Sequence, residues 1–321
     1  MDLQNATNAC RRVTETIGGA VVTDRSFLDR VMLGLLARGH VLLEDVPGTG
    51  KTLTARSFAT ALGLEFSRIQ FTPDLLPSDV TGTNIYDESD GSFSFSEGPI
   101  FANVVLADEI NRAPPKTQAA LLEAMEERQV TVGGETHRLP RPFFVIATQN
   151  PIESEGAFPL PEAQLDRFAV KTSIGYPDRD GEIELLERRA GRTARSPEVE
   201  TVLDREAVVD LRRVPESIRV DPDLLEYMAD ITARTRTDRR VDVGVSPRGT
   251  QRLFETARAS AVIAGRPYVT PDDVKSIAPP VLAHRLVLTP DALVNDIKRV
   301  DVIDDVLESV PVPTIEETTP Q

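Results

Sequence analysis

Residues 41–52 read VLLEDVPGTGKT: an apolar strand, a turn holding two glycines, then Lys51-Thr52. Residues 104–109 read VVLADE, a second apolar strand that ends in two adjacent carboxylates. Together the two stretches describe a site for a magnesium-bound nucleoside triphosphate and for the water that attacks it. A triphosphate packs several negative charges into a small volume, and backbone N–H groups at a helix N-terminus answer that charge without bulky side chains. In this reading Val46, Pro47, Gly48, Thr49 and Gly50 form the cradle, with Lys51, Thr52 and Leu53 opening the helix behind it. Gly48 and Gly50 let the backbone curl close to the phosphates, because glycine tolerates positive φ. Lys51 is placed to reach the β- and γ-phosphates, and the Thr52 hydroxyl to bind Mg²⁺. Asp108 is placed to hold the same ion through its water shell. Glu109 is placed to polarise the attacking water.

The loop departs from the strict phosphate-loop pattern at one position, where Asp45 stands in place of glycine. A carboxylate beside a phosphate is electrostatically unfavourable. Asp45 is therefore expected to point outward or to cap a neighbouring amide.

At 321 residues the chain suits one large or two medium domains, and either can bury a sizeable core. Apolar residues make up 40% and charged residues 27%, the balance of an ordinary soluble globular chain. No apolar run approaches the ~20 residues that a membrane helix needs. The N-terminal stretch lacks the basic-then-apolar order of a signal peptide, so the expected compartment is the cytoplasm. Cys10 is the single cysteine, which excludes a disulfide framework or a thiolate metal site. His40, His137 and His284 are scattered, and are read as structural or solvated. The formal net charge is −15, and only five of the 36 basic residues are lysine. So acidic a surface repels nucleic acid and anionic membrane. It also suits work in concentrated salt, with a GC-rich genome as the alternative source; equal folding and turnover in dilute buffer and molar KCl would count against the salt reading.

Outward from the two stretches, apolar periodicity through Val13, Ile17, Phe27, Val31, Leu35 and Leu36 predicts helix over 7–38. Short apolar strands are expected at 40–44, 65–70, 103–107, 143–147 and 169–174, with helices at 51–62 and 115–127. Continuous apolar strands alternating with helices predict a parallel five-stranded sheet covered on both faces. Two stretches interrupt the pattern. Residues 82–101 alternate apolar and polar around Asp90-Gly91, and 129–142 turn on Gly133-Gly134; both are hairpin signals. After Tyr176-Pro177 the strands stop, and helices are expected at 178–191, 204–214, 222–236, 247–264, 271–284 and 290–309. The organisation is therefore an α/β core at 1–177, a smaller all-helical domain at 178–310 and a disordered tail at 311–321.

The motifs GTGKT, VVLADEINRAPPKTQAALLEAMEE, FFVIATQNP, LPEAQLDRF and VSPRG stand in the order expected of an AAA+ ATPase. ADEINRAPPKTQ, with ATQNPIESEGAFPLPEAQLDRF, resembles the MoxR family in particular, over roughly residues 10–285. The resemblance implies a P-loop AAA+ core with inserted hairpins and a helical lid, using ATP and Mg²⁺, with the nucleotide between core and lid. It implies that Asn150 is sensor 1, an amide that orients the attacking water or contacts the γ-phosphate. Arg167 matches the arginine finger, which reaches a neighbouring subunit's site, and Arg248 matches sensor 2, reaching back from the lid to the phosphates. Arg112 is a weaker candidate for a neighbouring site. The resemblance further implies a ring, in the form of a hexamer, and chaperone-like maturation of client proteins, often with von Willebrand factor A domains. Gly249 stands where the family has alanine, which would weaken the start of its helix by roughly 1 kcal/mol. Two other readings stay open: a DNA-acting AAA+ motor, and a nucleotide switch that does not hydrolyse. The arginine cluster Arg234, Arg236, Arg239 and Arg240 lacks interleaved aromatics, so it reads as a solvated or intersubunit face.

Overall fold

A computed structural model of the chain describes residues 1–89, 91–151, 157–194 and 197–314. The turn residue Asp90 and the tail from 315 onward, both assigned from the sequence, lie outside the described residues. In chain order the first part holds α1 (Leu3–Ala20), α2 (Arg25–Leu36), β1 (Val41–Glu44), α3 (Lys51–Ala61), β2 (Phe66–Gln70) and α4 (Pro77–Thr81). It continues with β3 (Gly82–Asp87), β4 (Ser92–Glu97), β5 (Val104–Asp108), α5 (Pro115–Glu127), β6 (Gln129–Val132) and β7 (Glu135–Arg138). It closes with β8 (Phe144–Gln149), α6 (Glu162–Leu165) and β9 (Val170–Thr172).

Five of these strands form one sheet in the order β2-β5-β8-β1-β9, and every pairing in it is parallel. Side chains alternate across a strand, and here both faces are buried. Val41 and Leu43 of β1, Val104 and Leu106 of β5, and Phe144 and Ile146 of β8 enter one apolar cluster. Their neighbours Leu42, Val105, Ala107, Val145 and Ala147 enter a second cluster on the other face. That double burial is why the strands read as continuous apolar runs instead of alternating ones. The predicted five-stranded parallel core is present.

The two hairpins stand apart from the sheet as β3–β4 and β6–β7. They touch one another: Phe95 of β4 stacks on His137 of β7 with ring centroids 3.8 Å apart.

The C-terminal part holds α7 (Arg179–Ala190), α8 (Arg205–Leu211), α9 (Pro222–Thr235), β10 (Val241–Val243) and α10 (Pro247–Ile263). It ends with α11 (Pro271–Leu282), β11 (Val287–Leu288), α12 (Pro290–Val294) and α13 (Arg299–Ser309). This domain is not wholly helical, because β10 and β11 pair as an antiparallel ribbon with a bulge at Val241/Val243. The helix expected over 7–38 is two helices, since Val21 turns extended after α1 and Asp24 opens α2. The one expected over 290–309 is also two, broken where Asp296 takes φ 52°. Apolar period alone does not register such short breaks. Core and lid share one apolar cluster that joins Val13 and Ile17 of α1 to Leu253 and Ala257 of α10.

Gly249 has a structural reason that its helix propensity hides. A Cβ at this position would come within 2.5 Å of Val245 Cγ1 and 2.8 Å of Arg285 Cδ. The glycine makes room for the buried Arg285, whose guanidinium binds Asp166 at 2.8 Å.

Candidate nucleotide site

Sheet order decides the geometry of the site. β8 lies between β1 and β5, so the loop leaving β1 and the carboxylates ending β5 flank the C-terminal end of one strand. Ligand sites in open α/β sheets form outside such strand ends.

In the loop, Gly48 and Gly50 both take φ 90°. A Cβ at either would meet nothing within 4 Å, so backbone conformation, and not space, requires glycine. Gly50 then caps α3, which places Lys51 and Thr52 in the first helical turn. Lys51 Nζ donates to the carbonyls of Asp45 at 3.0 Å and Val46 at 2.7 Å. The Thr49 hydroxyl donates to the Val46 carbonyl at 3.3 Å. Pro47 is exposed at the loop tip, and Leu53 turns inward against the core.

Asp45 is buried and caps amides, one of the two outcomes expected for it. Its carboxylate accepts from Ser173 Oγ at 2.8 Å, Ile174 N at 2.6 Å and Gly175 N at 3.1 Å. These donors satisfy the charge and tie the loop to the segment leaving β9.

Asp108 and Glu109 are joined through Thr148 of β8. The Thr148 hydroxyl donates to Asp108 Oδ1 at 2.6 Å and accepts from the Glu109 amide at 2.8 Å. Arg68 of β2 donates to Asp108 Oδ2 through Nε at 3.1 Å and Nη2 at 2.6 Å. Gln70, two residues on and on the same face, donates to Glu109 Oε2 at 2.8 Å. Arg112 donates to that same oxygen at 3.1 Å. Glu109 takes φ 57°, ψ 49°, the left-handed conformation that non-glycine residues avoid. Strain of this kind, of order 1–3 kcal/mol, collects at functional positions.

A cavity of about 900 Å³ opens beside Gly48, Thr49 and Gly50. Its apolar walls include Val21 and Val22 from the α1–α2 break, Tyr176, and Leu185 of α7. That volume lies within the usual range for ligand clefts.

Residues 40–170 match the family described as "ATPase family associated with various cellular activities (AAA)", and residues 233–306 match the AAA lid domain. Chaperone MoxR1 of Mycobacterium tuberculosis is 44% identical over 304 residues, spanning 92% of this chain and 80% of that one. Protein MoxR of Methylorubrum extorquens is 32% identical over 95% of this chain and 96% of its own length. The chain belongs to the MoxR family of AAA+ ATPases. A crystal structure of a proposed ATPase from Cytophaga hutchinsonii superposes on this fold with TM-score 0.90 at 37% identity, covering 97% of each chain.

The remaining residues that MoxR-family resemblance singles out fall in two places. Asn150 directly follows β8 and is buried at the strand end beside Asp108 and Glu109. Arg167 and Arg248 lie elsewhere. Both guanidiniums bind the Glu126 carboxylate of α5, Arg167 at 3.1 Å, and Arg167 also donates to the Leu122 carbonyl at 2.7 Å. They border a recess with Arg38 and His40, which precede β1. The phosphate loop follows β1, so the length of that strand, about 13 Å, separates the two ends. Arg248 thus lies at the end of β1 opposite to its own chain's Gly48–Thr52 loop, and not beside that loop as the sensor 2 expectation had it. The cause is the packing of α10 on α1 and α2, which holds its first turn against α5. From the C-terminal part it is α7, and not α10, that borders the cavity beside Gly48–Gly50. Arg112 is engaged within its own chain, on Glu109. In the 234–240 cluster, Arg240 pairs with Asp238 and Asp305, and Arg236 donates to the Val245 carbonyl at 2.8 Å.

Sequence reasoning missed Arg68, Gln70 and Thr148. The signal available was polarity out of place: Thr148 interrupts an apolar strand, and Arg68 and Gln70 alternate on β2. The cavity wall at Val21, Val22 and Tyr176 carries no motif, because it is made by a helix break and a strand exit. Among the described residues no helix is long and apolar enough to cross a membrane.

Proposed function

We propose that this MoxR-family chain hydrolyses ATP with Mg²⁺ to remodel or mature partner proteins, and that it does so in a ring, with a hexamer as the expected form. The observation that carries the reading is the Thr148 bridge, which couples Asp108 and Glu109 at the strand end beside the phosphate loop. Lys51, Thr52 and the loop amides bind the triphosphate, and the base lies against Val21, Val22, Tyr176 and Leu185. The Thr52 hydroxyl and Asp108 carboxylate are hard oxygen donors of the kind Mg²⁺ takes. Among the described residues no cluster of three or more His, Cys, Asp or Glu could hold a metal by itself, which fits an ion held mainly by phosphate and water. When bound, the ion neutralises charge on the transferred phosphoryl group. Glu109 accepts the proton of the attacking water, and Asn150 orients that water.

Arg167 and Arg248 act together on a neighbouring subunit's phosphates. Their shared perch on Glu126, a strand's length from their own loop, supports this. A guanidinium offered in trans stabilises charge in the transition state. The β3–β4 hairpin supports contact with client polypeptide: Tyr86 and Phe93 pair across it with centroids 5.0 Å apart and are 53% and 71% exposed. Exposed aromatics of this kind mark interaction sites.

The test is turnover of the full chain as a function of its concentration. If the arginines come from a neighbour, turnover per subunit rises steeply as subunits associate. Turnover that is strictly proportional to concentration down to the monomer contradicts the proposal. Proteins that co-purify with Glu109→Gln in ATP identify the clients.

A further inference from the structure

On a chain of net charge −15, the cavity that adjoins the Arg167–Arg248 recess has the opposite character. It encloses about 310 Å³ at the end of the sheet away from the phosphate loop, bordered by the C-terminal ends of α2 and α8 and by one face of α10. Five guanidiniums line it, from Arg38, Arg128, Arg212, Arg252 and Arg258, against two carboxylates, Glu216 and Glu255. Glu216 is shared between Arg38 at 3.7 Å and Arg258 at 2.9 Å. Glu255 binds Arg252 at 2.6 Å. Among the described residues neither Arg128 nor Arg212 forms an ion pair, and Glu255, already paired with Arg252, is the carboxylate that acts on Arg128.

Helix-end carbonyls take up part of the donor capacity, as cations near helix C-termini commonly allow. Arg212 Nε donates to the Leu35 carbonyl at 3.1 Å, and Arg128 Nη2 to the Arg38 carbonyl at 3.3 Å. That accounts for one donor each, whereas a guanidinium carries five. Arg212 is 8% exposed, and its Nη2 has no hydrogen-bond partner among the described residues. A buried donor on a charged group is costly to leave unpaired. Burial, then the nearby Arg128 and Arg38, push the Arg212 guanidinium down to about 10. The arrangement is unfavourable by itself and becomes favourable when an anion enters.

We infer that the Arg38–Arg128–Arg212–Arg252 cavity is a binding site for a phosphate-class dianion, distinct from the phosphate loop of the same chain and adjoining the Arg167–Arg248 recess through Arg38, Arg128 and Arg252. The lining supplies donors in planar forks that match phosphate oxygens. Three uncompensated positive charges favour a multiply charged ligand over a single carboxylate. The apolar lining, Leu36, Ala37 and Pro215, offers no aromatic surface for a base, so the ligand is inorganic phosphate or a small phosphorylated molecule.

The test uses the full chain carrying Lys51→Ala, so that the phosphate loop does not supply the binding and the outcome is independent of the ATPase reading. Inorganic phosphate and ribose 5-phosphate are titrated calorimetrically at constant ionic strength in chloride. One site per chain is expected for phosphate. Tighter binding of ribose 5-phosphate would assign the site to small phosphorylated molecules, and equal binding to free phosphate. Arg128→Gln and Arg252→Gln, each added to Lys51→Ala, should weaken binding at least about tenfold, as loss of a charged hydrogen bond does. Arg128 is exposed, so its variant is expected to fold, and an unchanged thermal midpoint checks this. Absence of phosphate binding in Lys51→Ala overturns the inference, as does binding that neither substitution weakens. Loss of self-association in Arg128→Gln without any phosphate binding also overturns it, and assigns the arginines to carboxylates of a second copy.

Discussion

Arg248, from the first turn of α10 in the lid, and Glu126, from the last turn of α5 in the core, are bound to each other, and Arg167 shares the same carboxylate. Glu126 thereby gathers two guanidiniums on a face remote from their own phosphate loop. Arg167→Ala and Arg248→Ala should each lower turnover by about 10³, in the range of other arginine fingers, while ATP binding at the variant's own loop persists. Mixing Arg167→Ala with Glu109→Gln subunits should restore activity, because each form supplies what the other lacks. Turnover of the mixtures at varied ratio checks this.

Thr148 is buried, and its hydroxyl serves Asp108 and the Glu109 amide at once. Thr148→Val keeps the shape but leaves an acceptor and a donor unpaired, at about 1–3 kcal/mol of stability. Turnover should also fall, because the backbone at Glu109 loses the partner that holds its left-handed conformation. Urea unfolding and steady-state turnover measured on the same preparation separate the two effects.

Gly249→Ala should destabilise the fold despite the better helix propensity of alanine. Propensity gains at most about 1 kcal/mol, whereas crowding in a packed interior costs about 1–3 kcal/mol. The added methyl meets Val245 and the stem of Arg285, which cannot retreat without disturbing its bonds to Asp166 and to the Phe168 carbonyl. A urea midpoint below wild type is the expected result.

His40 is buried between the Met125 carbonyl at 3.1 Å and the Val145 amide at 2.9 Å, and burial pulls its imidazole down to about 3. His284 is likewise driven well below the usual range, by burial first and then by Arg285. The folded chain therefore binds fewer protons than the unfolded chain below the ordinary histidine pKa of about 6.5. Stability is full above that value and declines as pH falls through the interval toward the folded values. His40 alone should remove about 2 kcal/mol by about pH 5. Urea midpoints across this range should fall with acid, and His40→Asn should flatten the slope.

Much of the fold was legible in the sequence because burial on both faces leaves a simple mark. Strands β1 and β5 are apolar runs that end in carboxylates, Glu44 and Asp108, and β8 is apolar from Phe144 to Ala147. The phosphate loop and the Asp108–Glu109 pair were legible because each role demands a particular residue type at a particular strand end. Other features were not, for identifiable reasons. Arg68, Gln70 and Thr148 act from strands adjacent in space and not in sequence. Arg248 carries the expected motif, yet its reach is set by how α10 packs on α1 and α2, which no local pattern records. Gly249 resembles a propensity defect until the volume of Arg285 is counted.

The central claim is that the phosphate loop and the Asp108–Glu109 pair form one hydrolytic site, and the most direct test is Glu109→Gln assayed for ATP binding and turnover together. The account predicts near wild-type ATP affinity with turnover reduced by about 10² or more, the scale of a lost general base. Turnover that persists at the wild-type rate in Glu109→Gln would contradict it.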